Sequence, residues 1–133
     1  MTDMRLRGMP VEMVMIENLS HAKALQLKAS CDIFIDQIAD SGGWGYGMSG
    51  VEALAMGLPT ITRMGSEMQE FVTDHPFIDA TSSTLEHELT RLIEDPVYRE
   101  TVSRDGREWV ERTHSIHAVA NQLCDYWKRE GWM

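Results

Sequence analysis

Cysteine is scarce in this chain, and long apolar runs are missing altogether. Only two of the 133 residues are cysteine, Cys31 and Cys124. They lie far apart, each within an apolar helical pattern, and make no CxxC or Cys/His ligand spacing. That excludes a disulfide scaffold and a cysteine-based metal centre, and reads as two reduced core residues of a cytoplasmic protein. No apolar run reaches the roughly 18 residues that cross a bilayer, and the N-terminal "MTDMRLRGMP" lacks the apolar core of a signal peptide. A soluble protein is expected. Positive charge is also short: 12 Lys and Arg stand against 21 Asp and Glu, a formal net charge of -9. The basic residues are scattered, so nucleic acid is not an expected partner. The histidines His21, His75, His87, His114 and His117 form no HxxxH or other clear metal pair, and neither Ser49 nor Cys31 has an evident His/Asp arrangement for nucleophilic catalysis.

What is present is enough apolar material, 43% of residues, for one core over a single domain, 1–133. The 10 methionines are read as core gap-fillers. "VEMVMI" (Val11 to Ile16), "DIFIDQ" (Asp32 to Gln37), "PTITR" (Pro59 to Arg63) and "FIDA" (Phe77 to Ala80) are short, apolar and rich in β-branched residues, which predicts four strands. Between and after them come helices. Ser20 caps "HAKALQLKASC", with Ala22, Leu25, Leu27 and Ala29 on or near its inner stripe. A short helix from Ser49 to Met56 is ended by Gly57 and Pro59, and "SEMQEFVTD" gives one or two further turns. Ser83 and Glu86, at capping-box spacing, open "TLEHELTRLIED", which Pro96 stops. Two closing helices follow, "VYRETVSRDGREWVERTH", weakened at Gly106, and "SIHAVANQLCDYWKRE", whose Ile116, Val119, Ala120, Leu123 and Trp127 recur every three to four residues. Strand and helix alternate, so the expected fold is α/β: a Rossmann-like parallel sheet of about four strands with helices on both faces.

The stretch "GGWGYGMSGVEALAMGLPTIT" gathers Gly42, Gly43, Gly45, Gly47 and Gly50 directly before a helix start. In an open α/β sheet, ligands bind beyond the carboxyl ends of the strands, where a strand hands over to a helix. Glycine lets the backbone approach a ligand, and the unpaired N–H groups at a helix start favour an anion. The loop therefore suits a phosphate or diphosphate. Glu52 has two competing uses. With Ser49 it has S-x-x-E spacing and could close a capping box; alternatively its carboxylate accepts hydrogen bonds from vicinal hydroxyls.

"CDIFIDQ" followed by "GWGYGMSGVEALAMGLPTIT" resembles the C-terminal nucleotide-binding domain of group 1 (family 4) glycosyltransferases. Chains of that family show an "aDifv" strand and then E-G-F-G-x-x-x-x-E-A-m-A-x-G-x-P-v-i. "GSEMQEFVTD" and "LTRLIEDPVYRETVSRDGREWVERTHSI" resemble later segments of the family, so the likeness covers nearly the whole chain. It implies one half of a GT-B fold, in which two Rossmann-like domains face across a cleft and transfer a sugar from a nucleotide-diphosphate donor, with retention and without a bound metal or other cofactor. It further implies that Glu52 holds the donor ribose, that the backbone of Gly45, Tyr46, Gly47, Met48 and Ser49 approaches the donor sugar and diphosphate, and that Glu17, Asn18 and Leu19 edge the nucleobase.

The chain departs from that pattern in two ways. Eight positions before Glu52, where the family has its first glutamate, stands Trp44, for which Asp40 or the indole itself could substitute, or which simply covers the loop. The likeness also begins near the third strand of the family domain, so the earlier strands, the Arg and Lys that neutralise the diphosphate, and the acceptor-binding domain have no counterpart. A fragment or reduced relative is expected. Met4, Met9, Met13, Met15, Trp132 and Met133 would then help cover the exposed surface through a homo-oligomer or a separate N-terminal subunit. A non-catalytic nucleotide-binding or oligomerisation module of the same fold is the alternative. A flavodoxin-like receiver, with Asp32 and Asp36 as its acidic site, is a more distant one.

Overall fold

The structure, a computed structural model, describes residues 8–39 and 45–133. Met4, Asp40, Gly42, Gly43 and Trp44 lie outside the described residues. In chain order the elements are α1 (His21–Ala29), β1 (Phe34–Ile35), α2 (Met48–Ala55), β2 (Thr60–Thr62), α3 (Ser66–Phe71), β3 (Ile78–Asp79), α4 (Leu85–Glu94), α5 (Pro96–His114) and α6 (Ile116–Arg129). The strands form one parallel sheet in the order β1-β2-β3. Ile35 pairs with Ile61, and Ile61 with Ile78, so one row of isoleucine crosses the sheet.

Side chains alternate along a strand, and this assigns the helices to faces. Ile61 and Ile78 pack with Leu89 and Leu92 of α4, with Ile35 against them. Thr60, one residue away, points to the opposite face, where a Cβ added at Gly50 of α2 would lie 3.6 Å from its Cγ2. A parallel sheet with a helix on each face is therefore present, as the strand–helix alternation predicts. The second core cluster joins Val51 and Leu54 of α2, Met64, Phe77 and Trp109 of α5. Full burial of an aliphatic or aromatic side chain such as these contributes about 1.5–3 kcal/mol.

Local signals set most helix ends. Ser20 caps α1, accepting from the Lys23 N–H at 3.4 Å. Asp95 caps α5, accepting from the Tyr98 N–H at 2.9 Å, with Pro96 in the first turn, so the proline that ends α4 also opens α5. Ser115 caps α6, accepting from the Ala118 N–H at 3.1 Å. The N-cap of α4 is Thr84, one residue after the expected Ser83.

Several expectations are corrected or sharpened. Val11 to Ile16 is not a strand: among the described residues no neighbouring strand offers it a ladder, and Met13, Val14 and Met15 are exposed. Among the described residues the sheet accordingly has three strands. Methionine is mostly not core; Met64 is buried, whereas Met13, Met15, Met48 and Met133 are exposed. Cys31 and Cys124 are free, as expected, and only half-buried. In α1 the buried position is Lys28, while Leu25 and Leu27 are half-buried and Ala22 and Ala29 exposed. Gly106 does not interrupt its helix, which runs Pro96–His114, and it lets α2 and α5 close on each other, since a Cβ there would come within 2.8 Å of Leu54 Cδ2.

Candidate functional site

Three elements converge on the start of α2. Helix α1 brings Lys28, β1 delivers Asp36 just past its carboxyl end, and α2 carries Ser49 and Glu52. The Lys28 ammonium donates to the Ser49 carbonyl at 3.2 Å, to Ser49 Oγ at 2.7 Å and to Glu52 Oε2 at 3.0 Å. It also lies 4.8 Å from the centroid of the Phe34 ring, a cation–π contact. The lysine side chain is 4% exposed against 30% for Glu52, so the cation is interior and the carboxylate reaches the surface. An unpaired buried ammonium would be strongly disfavoured; here each of its three protons has an acceptor.

The other carboxylate oxygen, Glu52 Oε1, is 2.6 Å from His21 Nε2, the first residue of α1. Burial alone would raise the Glu52 pKa. Hydrogen bonds from Lys28 and His21, with their charges, outweigh that and hold it below the ordinary carboxylate value. The capping-box use of Glu52 is not taken: the N-cap of α2 is Gly47, which places Ser49 inside the helix and sends Glu52 to α1 instead. Two bonds leave the carboxylate further lone pairs for hydroxyl donors.

The loop residues are anchored from behind. Gly45 has φ 110, a backbone conformation open to glycine, and a Cβ there would meet Met68 Cγ at 2.6 Å. Asp36 Oδ2 accepts from the Gly47 N–H at 3.3 Å. The N–H groups of Met48 and Ser49 belong to the first helical turn, where no intrahelical acceptor exists. Tyr46 turns inward, stacking on Phe77 with centroids 4.7 Å apart and standing edge-on to Trp109 at 5.6 Å. Burial, then the charge of Asp74, pushes its hydroxyl pKa up, and burial pushes that of His114 down. Tyr46 OH lies 3.3 Å from His114 Nε2, and His114 Nδ1 lies 2.6 Å from Thr113 Oγ1, which donates to the Trp109 carbonyl at 2.6 Å. With that hydroxyl proton committed, Nδ1 is the donor to Thr113 and Nε2 accepts from Tyr46. The neutral imidazole thus ties the loop to the end of α5.

The predicted site residues Gly45, Tyr46, Gly47, Met48, Ser49 and Glu52 are contiguous at one end of the sheet. Glu17, Asn18 and Leu19 precede Ser20 and His21, so their turn leads directly to the histidine on Glu52; Asn18 adopts φ 56. Lys28 was missed by sequence reasoning, although its position carried a signal. It falls three and four residues after the half-buried Leu25 and Ala24, on the inner side of α1. Among the described residues no group of three or more His, Cys, Asp or Glu is placed to hold a metal ion. No helix among them is long and apolar enough to cross a membrane.

No curated protein and no solved structure matches the chain. A family model described as glycosyl transferase-like matches residues 7–125, which takes in both core clusters, the glycine loop and the Lys28–Glu52 pair. The match takes in most of the chain, and the chain belongs to the glycosyl transferase-like family.

Proposed function

We propose that this chain is the donor half of a group 1 glycosyltransferase of the GT-B type, binding a nucleotide-diphosphate sugar for transfer with retention. Glu52 carries the reading. Its carboxylate is ionised, braced from the interior by Lys28 and still 30% exposed, which suits it to accept hydrogen bonds from the two ribose hydroxyls of a donor. His21, 70% exposed, can swing aside as the ribose arrives. The turn at Glu17, Asn18 and Leu19 is then the edge against the base, and the Gly45 to Ser49 backbone faces the sugar end. No metal or other cofactor is assigned. Cys31 and Cys124, both free, fit a reducing cytoplasmic setting.

The isolated chain is expected to transfer little or no sugar, because transfer needs donor and acceptor held together by both walls of a cleft. An acceptor-binding wall supplied by a separate N-terminal subunit, or association into a homo-oligomer, is the proposed partnership. Calorimetric titration with UDP, GDP and ADP tests the donor reading. Saturable binding of one nucleotide, weakened about tenfold by Glu52→Gln through loss of charge-assisted hydrogen bonds, is the expected result. No binding at millimolar ligand would overturn it.

One observation favours a second reading, a non-catalytic oligomerisation module of the same fold. Helix α6 buries none of its residues and exposes Ile116, Val119, Leu123 and Tyr126. Oligomers in sedimentation without any nucleotide affinity would select this reading.

A further inference from the structure

Glu52 is held by two partners that differ in how firmly they themselves are fixed. Both come from α1. His21 Nε2 lies 2.6 Å from Oε1, and its side chain is 70% exposed. Lys28 donates to Oε2 at 3.0 Å from a side chain that is 4% exposed. The same ammonium donates to Ser49 Oγ at 2.7 Å and to the Ser49 carbonyl at 3.2 Å, and it lies 4.8 Å from the centroid of the Phe34 ring. Ser49 and Glu52 belong to one helix, α2, so a single interior cation grips both the carboxylate and the turn that carries it. Of the charged groups beyond α1, Asp36 is turned to the Gly47 N–H at 3.3 Å, and Arg63 pairs with Asp79 at 3.3 Å.

The two partners answer differently to a ligand. A hydroxyl arriving at Oε1 takes the place of His21, whose ring has solvent to move into. Lys28 has no such exit, because leaving its acceptors would strand a buried ammonium. A ligand also covers Glu52 further, and burial already acts to raise its pKa against the hydrogen bonds and charges of Lys28 and His21. Once His21 is displaced, Lys28 is the one of those two opposing groups still in place.

We infer that Lys28 is a positioning residue for nucleotide recognition: it acts through Glu52 without touching the ligand, holding Oε2 from the interior and leaving Oε1 to exchange His21 for a ligand hydroxyl. The inference rests on the donor-half reading for the identity of the ligand, and adds the residue that keeps the carboxylate in its receiving position. A side chain fixed beforehand loses less conformational freedom when the ligand binds. Support of this kind is what a binding group on a rigid element needs from the residues behind it.

The experiment is titration of UDP, GDP and ADP by ligand-observed NMR, which reads affinities into the millimolar range. The proteins are the wild type, Lys28→Met, His21→Ala, Glu52→Gln and the double variant Lys28→Met with Glu52→Gln. Methionine keeps an unbranched apolar side chain beside Phe34 without the charge, and thermal unfolding checks the fold. Lys28→Met is expected to bind the preferred nucleotide about tenfold more weakly than the wild type, through loss of the charge-assisted bond to Glu52. In the Glu52→Gln background the same substitution makes no further difference. His21→Ala binds at least as tightly as the wild type, because nothing has to be displaced. In the wild type alone, saturation with nucleotide shifts the His21 ring signals, while the Lys28 ammonium signal persists and the Glu52 carboxyl signal stays that of the ionised form. That measurement stands even where Lys28→Met does not fold.

Equal weakening by Lys28→Met with and without the Glu52 carboxylate would overturn the inference, since direct contact with the ligand or general loss of structure acts regardless of that residue. Wild-type affinity in Lys28→Met, a comparable loss in His21→Ala, or disappearance of the Lys28 ammonium signal on saturation would each do the same. Binding that ignores Lys28 removes this inference alone and leaves the donor reading standing. If none of the three nucleotides binds the wild type, the donor reading fails and the role of Lys28 fails with it.

Discussion

Helices α2 and α6 are both apolar along one side, yet they fare differently. Helix α2 buries Gly50, Val51, Ala53 and Leu54, while α6 buries none of its residues. Apolar content does not explain the contrast, since α6 repeats Ile116, Val119, Leu123 and Trp127 at regular helical spacing. Close approach explains it. Gly50 opens α2 to Phe77 and Thr60, Gly106 opens α5 to Leu54, and Ser103 of α5 donates to the Gly57 carbonyl at the end of α2. An amphipathic stripe makes burial favourable in general, but only a neighbour shaped to receive it makes burial occur.

The largest expected break in this contrast is Leu54→Ala. Leu54 is 0% exposed, and the cavity left between α2 and α5 is expected to cost about 2–5 kcal/mol, read as a lower denaturation midpoint. Gly106→Ala comes next. Helix propensity favours alanine by about 0.5–1 kcal/mol, but its Cβ would meet the enclosed Leu54 Cδ2 at 2.8 Å. Overpacking of that kind costs about 1–3 kcal/mol, so a net loss of about 1 kcal/mol is expected in urea unfolding. A net gain would mean that α2 and α5 stand further apart than described.

A smaller effect belongs to the charged end of α2. Burial raises the Glu52 pKa, but Lys28 and His21 together lower it below its ordinary value. A depressed carboxylate pKa adds stability above the unfolded pKa and loses it as pH falls through the folded one. Glu52→Gln should therefore be less stable than the wild type at neutral pH, by no more than about 1 kcal/mol given the exposure of the group. The gap should close under acid, and a gap that is constant with pH in thermal melts would contradict the assigned ionisation. The smallest effect is at Ile116, which is 86% exposed. Ile116→Ser should leave monomer stability within about 0.5 kcal/mol. A large loss would show that α6 is covered in solution.

Much of the fold was legible because it is written in short-range patterns. Ser20, Asp95 and Ser115 cap helices from three residues away, and Pro96 and Gly57 mark boundaries by restricting or freeing φ. Val11 to Ile16 misled because β-branched composition reports fitness for a sheet, not the presence of a neighbouring strand to pair with. The glycine loop and Glu52 were also legible as a candidate site, from their order and spacing. What surrounds them was not. Lys28 was not singled out, and the room around Gly45, Gly47 and Gly50 turned out to be taken by Met68, Asp36, Gln37 and Phe77.

By itself the sequence determined the alternation of strand and helix, the caps and turns, and the position of a polar loop before an apolar helix. These depend on residues within a turn or two of one another, where propensity and backbone geometry decide. Only the tertiary structure decided that Lys28 clamps Glu52 from 24 residues away, that Asp36 settles on Gly47 across 11, and that Tyr46 is tied to His114 across 68. Such contacts depend on which elements meet once the sheet has formed, and the charge balance of the candidate site is set by those meetings.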